Sequence, residues 1–297
     1  MMPSIELRSV TKRYGNILAL DSMNLKVDEP ACIGLLGPNG AGKTTVMKIL
    51  TNIVHPTSGE AMINGISVVE NPQSALRDVG ALVEQPEFYP YLTAREALEF
   101  VAKVKGMNAG SVPDEIRRLS ELTGITEYLN RKSGTFSRGM KQRLGIAAAL
   151  VGNPEILVLD EPTFGLDPKG MLEVRSLITN LKAAQVRIIL LSTHLTYEAN
   201  ELCDRIIIIN KGKTVYDTGE RVKANFIRME LESPVEGFSL PDELVNGYMI
   251  DGSTVIVEKR EDVSNSELIQ YVSGKGIRLK YILPYNDIDD IYVRAVQ

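Results

Sequence analysis

Along this chain, short apolar runs alternate with stretches of helical spacing. Residues 4–27 alternate polar and β-branched side chains, which predicts two or three strands broken by a turn at Tyr14 and Gly15. Ala31, Cys32, Ile33, Gly34, Leu35 and Leu36 form an unbroken apolar run of buried-strand length. Residues 45–50 then take the spacing of a helix packed on a sheet. A strand over 60–63 turns back at Asn64 and Gly65, and another over 79–83 ends at Gln85 and Pro86. From Thr93 to Gly152 the period becomes helical. Thr93 and Glu96 form a capping box for a helix reaching about Lys105, and Pro113 starts a second that stops near Gly124. A third, over 138–151, carries the small face Ala147, Ala148 and Ala149. Strands at 156–160 and 187–192, a helix over 168–182, a short helix and a hairpin over 205–218 complete the alternation. Such an order predicts an α/β fold with a mostly parallel, helix-covered sheet.

Beyond residue 222 the pattern changes. A strand over 226–232, a hairpin at Asp251 and Gly252, a capping box of Ser264 and Glu267, a strand over 277–283 and a helix from Asp287 predict a small α+β domain. The expected organisation is therefore one domain over residues 1–222, with a helical subdomain at about 86–152, and an accessory domain over 223–297.

Composition narrows the classes. A chain of 297 residues with 44% hydrophobic and 24% charged side chains is long enough for two cores. A net charge of −5 speaks against nucleic acid or an anionic lipid surface as partner. The longest apolar runs, over 188–191 and 206–209, fall far short of the ~20 residues that span a bilayer. No signal peptide opens the sequence, and Cys32 and Cys203 sit in apolar surroundings that suit reduced, cytoplasmic thiols. Only His55 and His194 are available as imidazole ligands, too few for a histidine-built metal site.

The densest chemical signal is Gly37, Pro38, Asn39, Gly40, Ala41, Gly42, Lys43, Thr44 and Thr45, set between the apolar run and the helix. Two glycines with four residues between them, followed by Lys and Thr, let successive N–H groups converge on one anion at a helix N-terminus. Lys43 would reach the β- and γ-phosphates of a nucleoside triphosphate, and the Thr44 hydroxyl would ligate Mg²⁺. Downstream, Asp160 and Glu161 follow an apolar strand. Such a pair suits a solvated turn, but beside a phosphate loop Asp160 would hold the metal and Glu161 would polarise the attacking water.

This order of motifs resembles the ATP-binding-cassette ATPases, nucleotide-binding subunits of transporters, over residues 4 to about 218. Thr135, Phe136, Ser137, Arg138, Gly139, Met140, Lys141, Gln142 and Arg143 resemble that family's signature segment, with Arg138 where glycine is usual and Met140 where glutamine is usual. Ser137 and Gly139 are kept, and the resemblance implies that they meet the γ-phosphate of a second copy. Gln85 resembles the residue sensing Mg²⁺ and water, His194 the switch histidine, and Tyr14 the aromatic that stacks on adenine. Gly165, Leu166 and Asp167 resemble the loop that crosses the dimer interface, with Phe164 where a small or polar residue is usual.

The resemblance implies a P-loop fold with an antiparallel N-terminal β subdomain and a helical insertion, an ATPase activity, and a homodimer that sandwiches ATP. It also implies a separate transmembrane permease, docked through residues 85–96 with Phe88, Tyr89, Pro90 and Tyr91. On this reading the chain is cytoplasmic and peripheral to the membrane, without nucleic-acid binding or membrane insertion. The signature form, with Asn286, Asp287, Ile288, Asp289, Asp290, Ile291 and Tyr292, resembles the stand-alone ATPases of exporters. A DNA-repair or ribosome-associated cassette is the competing expectation, and would bring paired cassettes, coiled-coil inserts or a basic surface. For the C-terminal domain, regulation and dimer stabilisation both stay open.

Overall fold

The computed structural model describes residues 2–184, 187–219, 225–235, 238–260, 262–285 and 287–296. Two compact units share them, Met1–Gly219 with Ala295–Gln297, and Glu220–Arg294. The linker expected around residues 217–224 falls mostly outside the described residues, as does Asn286 of the C-terminal motif.

In the larger unit, β1 (Ile5–Tyr14) and β2 (Ile17–Val27) form the predicted hairpin, and β3 (Cys32–Leu36) is buried along its whole length. Next come α1 (Lys43–Leu50), β4 (Ser58–Ile63), β5 (Ile66–Ser67), α2 (Pro72–Ala75) and β6 (Val79–Leu82). The helical block consists of α3 (Ala94–Val104), α4 (Val112–Leu122) and α5 (Arg138–Ala149). Alternation resumes through β7 (Ile156–Leu159), α6 (Pro168–Ala184), β8 (Ile188–Thr193), α7 (Thr196–Leu202), β9 (Arg205–Asn210) and β10 (Lys213–Asp217).

These strands make two sheets. One is antiparallel, in the order β2-β1-β4-β5. The other is the core sheet, β10-β9-β3-β8-β7-β6, parallel except at its β10 edge. A parallel strand is covered on both faces, which is why β3, β7 and β8 are mostly apolar and buried throughout, without alternation. Ile33, Leu35, Val158 and Leu190 share one core with Leu7, Val10 and Leu25 of the antiparallel sheet. The two sheets are thus packed faces of one domain. All the parallel strands end at one edge, the position where α/β sheets place ligands.

The smaller unit contains β11 (Asn225–Leu231), β12 (Val245–Asp251), β13 (Thr254–Lys259), α8 (Asn265–Gly274), β14 (Leu279–Pro284) and α9 (Asp287–Val296) as far as Arg294. Its antiparallel sheet runs β12-β13-β11-β14, and one face is closed by Leu268 and Val272 of α8. Ser264 and Glu267 cap α8 reciprocally, and Thr93 and Glu96 do the same for α3. The four-residue α2 was not predicted, being too short to carry a period.

Candidate active site

Gly37, Pro38, Asn39, Gly40, Ala41 and Gly42 turn the chain from the end of β3 into α1, whose first turn is Lys43, Thr44 and Thr45. Helix α1 starts from Gly42 at φ 113° with no capping side chain and no acid in its first turn. Its leading N–H groups and partial positive charge are therefore uncompensated, and they suit an anion. The loop itself is clamped. Its entry is held by the Gly37 N–H donating to the Thr193 carbonyl at 3.3 Å, and its exit by the Gly212 N–H donating to the Ala41 carbonyl at 2.9 Å. A Cβ on Gly42 would come within 2.8 Å of the Ala19 carbonyl, and one on Gly212 within 2.6 Å of the same oxygen. Only glycine allows β2, the loop and the β9–β10 turn to approach this closely.

Lys43 is 5% exposed and donates to the carbonyls of Gly37 at 2.7 Å and Pro38 at 3.1 Å. Its Nζ also lies 3.5 Å from Glu161 Oε1. Burial pushes the ammonium below its ordinary value, and the Glu161 carboxylate opposes that shift. Asp160 follows the last residue of β7, and its N–H continues the ladder to Leu82 at 2.8 Å. Glu161 comes next in left-handed backbone at φ 42°, a conformation that costs energy for a side-chain-bearing residue and concentrates at functional turns. Its other carboxylate oxygen lies 3.3 Å from His194 Nδ1, just beyond β8.

Thr44, Gln85, Asp160 and Glu161 line one cleft of about 700 Å³, together with Arg138 and Phe164. A hydroxyl, an amide and a carboxylate converge there, a hard-oxygen set that fits Mg²⁺. No trio of His, Cys, Asp or Glu among the described residues would hold a metal unaided, so phosphate and water oxygens would complete such a site. The remaining sequence candidates lie outside this cleft. Ser137 N-caps α5, its Oγ accepting the Met140 N–H at 3.3 Å, and Gly139 follows in the first turn. Tyr14 ends β1 half-exposed, with Lys12 Nζ 4.9 Å above its ring.

Two residues that hold this site together were not singled out from the sequence. Ser192 on β8 donates to Asp160 and accepts the Glu161 N–H. Glu198, buried on α7, accepts from the hydroxyls of Thr163 and Thr193 and ties the loop after Glu161 to the loop of His194. A charged residue four positions after His194 on a half-apolar helix was the available signal for Glu198. For Ser192 the sequence held none.

A phosphate-binding loop at the mouth of a parallel sheet, facing acids that follow β7 two strands away, defines a P-loop nucleoside triphosphatase. The ABC transporter family matches residues 20–164. The chain is 34% identical over 299 residues to the uncharacterized ABC transporter ATP-binding protein YdbJ of Bacillus subtilis (strain 168), covering 99% of this chain and 95% of that protein. It is 37% identical to the bacitracin transport ATP-binding protein BcrA of Bacillus licheniformis, over 91% of this chain and 83% of the relative. Against the Nod factor export ATP-binding protein I of Burkholderia lata it is 33% identical, over 98% and 96%. Among solved structures, a dimeric post-hydrolysis state of the ATP-binding cassette MJ0796 with ADP and Pi superposes with a TM-score of 0.67 at 28% identity, over 73% of this chain and 99% of that one.

The chain belongs to the ABC transporter ATP-binding proteins. It is an ATPase subunit that works with a separate membrane permease, and among its described residues no helix is long and apolar enough to cross a membrane. The repair or ribosome-associated alternative finds no counterpart among these relatives.

Proposed function

We propose that this chain hydrolyses ATP at the cleft described above, with Glu161 as general base, in a homodimer that drives an exporter. One observation carries the assignment. The Glu161 carboxylate is aimed between Lys43 and His194, and its backbone is locked to Asp160 through Ser192. A carboxylate so placed can take the proton of a water lined up on a γ-phosphate that Lys43 and the α1 N-terminus hold. Thr44, Asp160 and Gln85 would hold Mg²⁺, which when bound neutralises charge on the phosphate oxygens. His194, 3.3 Å from Glu161, is assigned to the γ-phosphate.

Ser137 and Gly139 stand outside the cleft on a helix N-terminus with no acid in its first turn. That placement supports their facing the triphosphate of a second copy, and Tyr14 is assigned to the adenine. The relatives named for bacitracin transport and Nod factor export support the direction of transport. Permease docking is assigned to residues 85–96. Tyr89 and Tyr91 are 59% and 64% exposed there and stack on each other at 5.6 Å, an apolar surface that a partner would cover. On this reading the chain sits at the cytoplasmic face of the membrane, held by the permease.

Replacing Glu161 by Gln keeps size and hydrogen bonding but removes the base. Turnover should fall by ~10² or more while Mg-ATP still binds. Turnover at the parent rate would overturn the assignment.

A further inference from the structure

Arg138 and Phe164, each unusual for its motif, touch one another. The Arg138 guanidinium carbon sits 5.2 Å from the centroid of the Phe164 ring. Neither residue is placed there by local preference. Arg138 is a cation in the first turn of α5, where the helix dipole disfavours positive charge, and no acid in that turn offsets it. It makes no ion pair among the described residues. Phe164 is 49% exposed on a loop, where a small residue would leave less apolar surface in water. Gly165 keeps the contact possible, since a Cβ there would fall 2.2 Å from Arg138 Nη1 and displace the guanidinium.

The Phe164 ring also meets the imidazole of His194 in an edge-type contact, with centroids 5.9 Å apart at 73°. Phe164 and His194 also share the wall of a second cavity, of about 230 Å³, with Glu161. Inside this arrangement His194 Nδ1 is buried and makes no hydrogen bond, although Glu161 Oε2 is 3.3 Å away. Hydrogen bonding to Nδ1 ordinarily sets the orientation of a working histidine. Here the Phe164 ring packs against the imidazole as well.

We propose that Arg138 and Phe164 are positioning residues for His194. The guanidinium, laid on one face of the Phe164 ring, fixes that ring, and the ring fixes the imidazole against Glu161. The two unusual residues thus act as one device in the ATPase reaction. This rests on the role proposed above for His194.

Steady-state ATPase of the full chain tests it. Phe164→Leu and Arg138→Ala should each lower kcat about tenfold and leave KM for ATP within about twofold, because a misplaced reacting group costs rate rather than binding. The double variant should be no slower than the slower single one. Phe164→Tyr and Arg138→Lys, which keep the ring and the cation, should recover most of the rate. In a His194→Ala background, Arg138→Ala should change the residual turnover by less than twofold. Multiplicative losses in the double variant, an undiminished Arg138→Ala effect without the imidazole, or an unchanged kcat in variants with the parent's thermal midpoint would each overturn the proposal. If Glu161→Gln hydrolysed ATP normally while the Arg138 effect still required His194, the base assignment would fail and this one would stand.

Discussion

The Ser192 hydroxyl donates to Asp160 Oδ1 at 2.5 Å and accepts the Glu161 N–H at 2.9 Å, so one side chain on β8 sets two consecutive residues beyond β7. Ser192 is fully buried, and Asp160 nearly so. Ser192→Ala would strand a buried carboxylate oxygen and a buried N–H. It should cost about 1–3 kcal/mol in denaturant unfolding and lower kcat roughly tenfold. Ser192→Thr retains the hydroxyl and should recover most of both. If kcat were unchanged in Ser192→Ala, positioning of Asp160 and Glu161 would have to come from elsewhere.

Assembly can be tested separately from hydrolysis. The Glu161→Gln protein with Mg-ATP should scatter light as a dimer, and much less so without nucleotide, if each triphosphate is shared between two copies as proposed. On the proposed arrangement, adding Ser137→Glu would set a carboxylate against the γ-phosphate of the second copy, and the dimer should be lost while one copy still binds ATP. A dimer that survived the substitution would show that Ser137 does not face the nucleotide.

The edge hairpin carries an acid-sensitive contact. Arg205 holds Asp217 through Nε at 2.9 Å and Nη2 at 2.6 Å, while its Nη1 donates to the Lys26 carbonyl at 2.7 Å. That guanidinium holds the Asp217 carboxyl below its ordinary value, against the opposing effect of burial. The unfolded chain therefore takes up this proton first as pH falls. The stabilisation is complete above the unfolded value of about 4 and fades as pH drops through the lower folded one. Asp217→Asn should cost about 1 kcal/mol at pH 7, discounted for partial solvent exposure. Thermal midpoints of the two proteins should converge once the pH has fallen below the lowered folded-state value of Asp217. A gap that persisted there would mean that the contact does not act through charge.

What the sequence made legible was what it encodes locally. Both capping boxes, Thr93 with Glu96 and Ser264 with Glu267, are pairs three residues apart, and both were read correctly. The phosphate loop was readable because its residues are contiguous, although α1 begins at Lys43, ahead of the apolar spacing that first marked it. Illegible were pairings that depend on strand order. Ser192 meets Asp160 because β8 lies beside β7, and nothing in either segment announces the other. Arg138 and Phe164 looked like two separate departures from a pattern until α5 and the loop after β7 were brought together. Sequence shows which residues are odd. Topology shows that they are odd for the same reason.

The central place of β3 bears on how the protein is made. It pairs with β8 on one side and β9 on the other, so a strand synthesised early is flanked by strands synthesised late. The carbonyl of Thr193 and the N–H of Gly212, which hold the two ends of the phosphate loop, leave the ribosome long after the loop itself. Until then the nascent chain carries the ATP-binding residues but not the walls that shape them, and nucleotide cannot stabilise it. A chain stalled ahead of Gly212 should therefore be digested equally fast by protease with or without ATP. One stalled well beyond it, with the edge hairpin clear of the exit tunnel, should be protected by ATP. The earliest-encoded function of this protein is among the last to form.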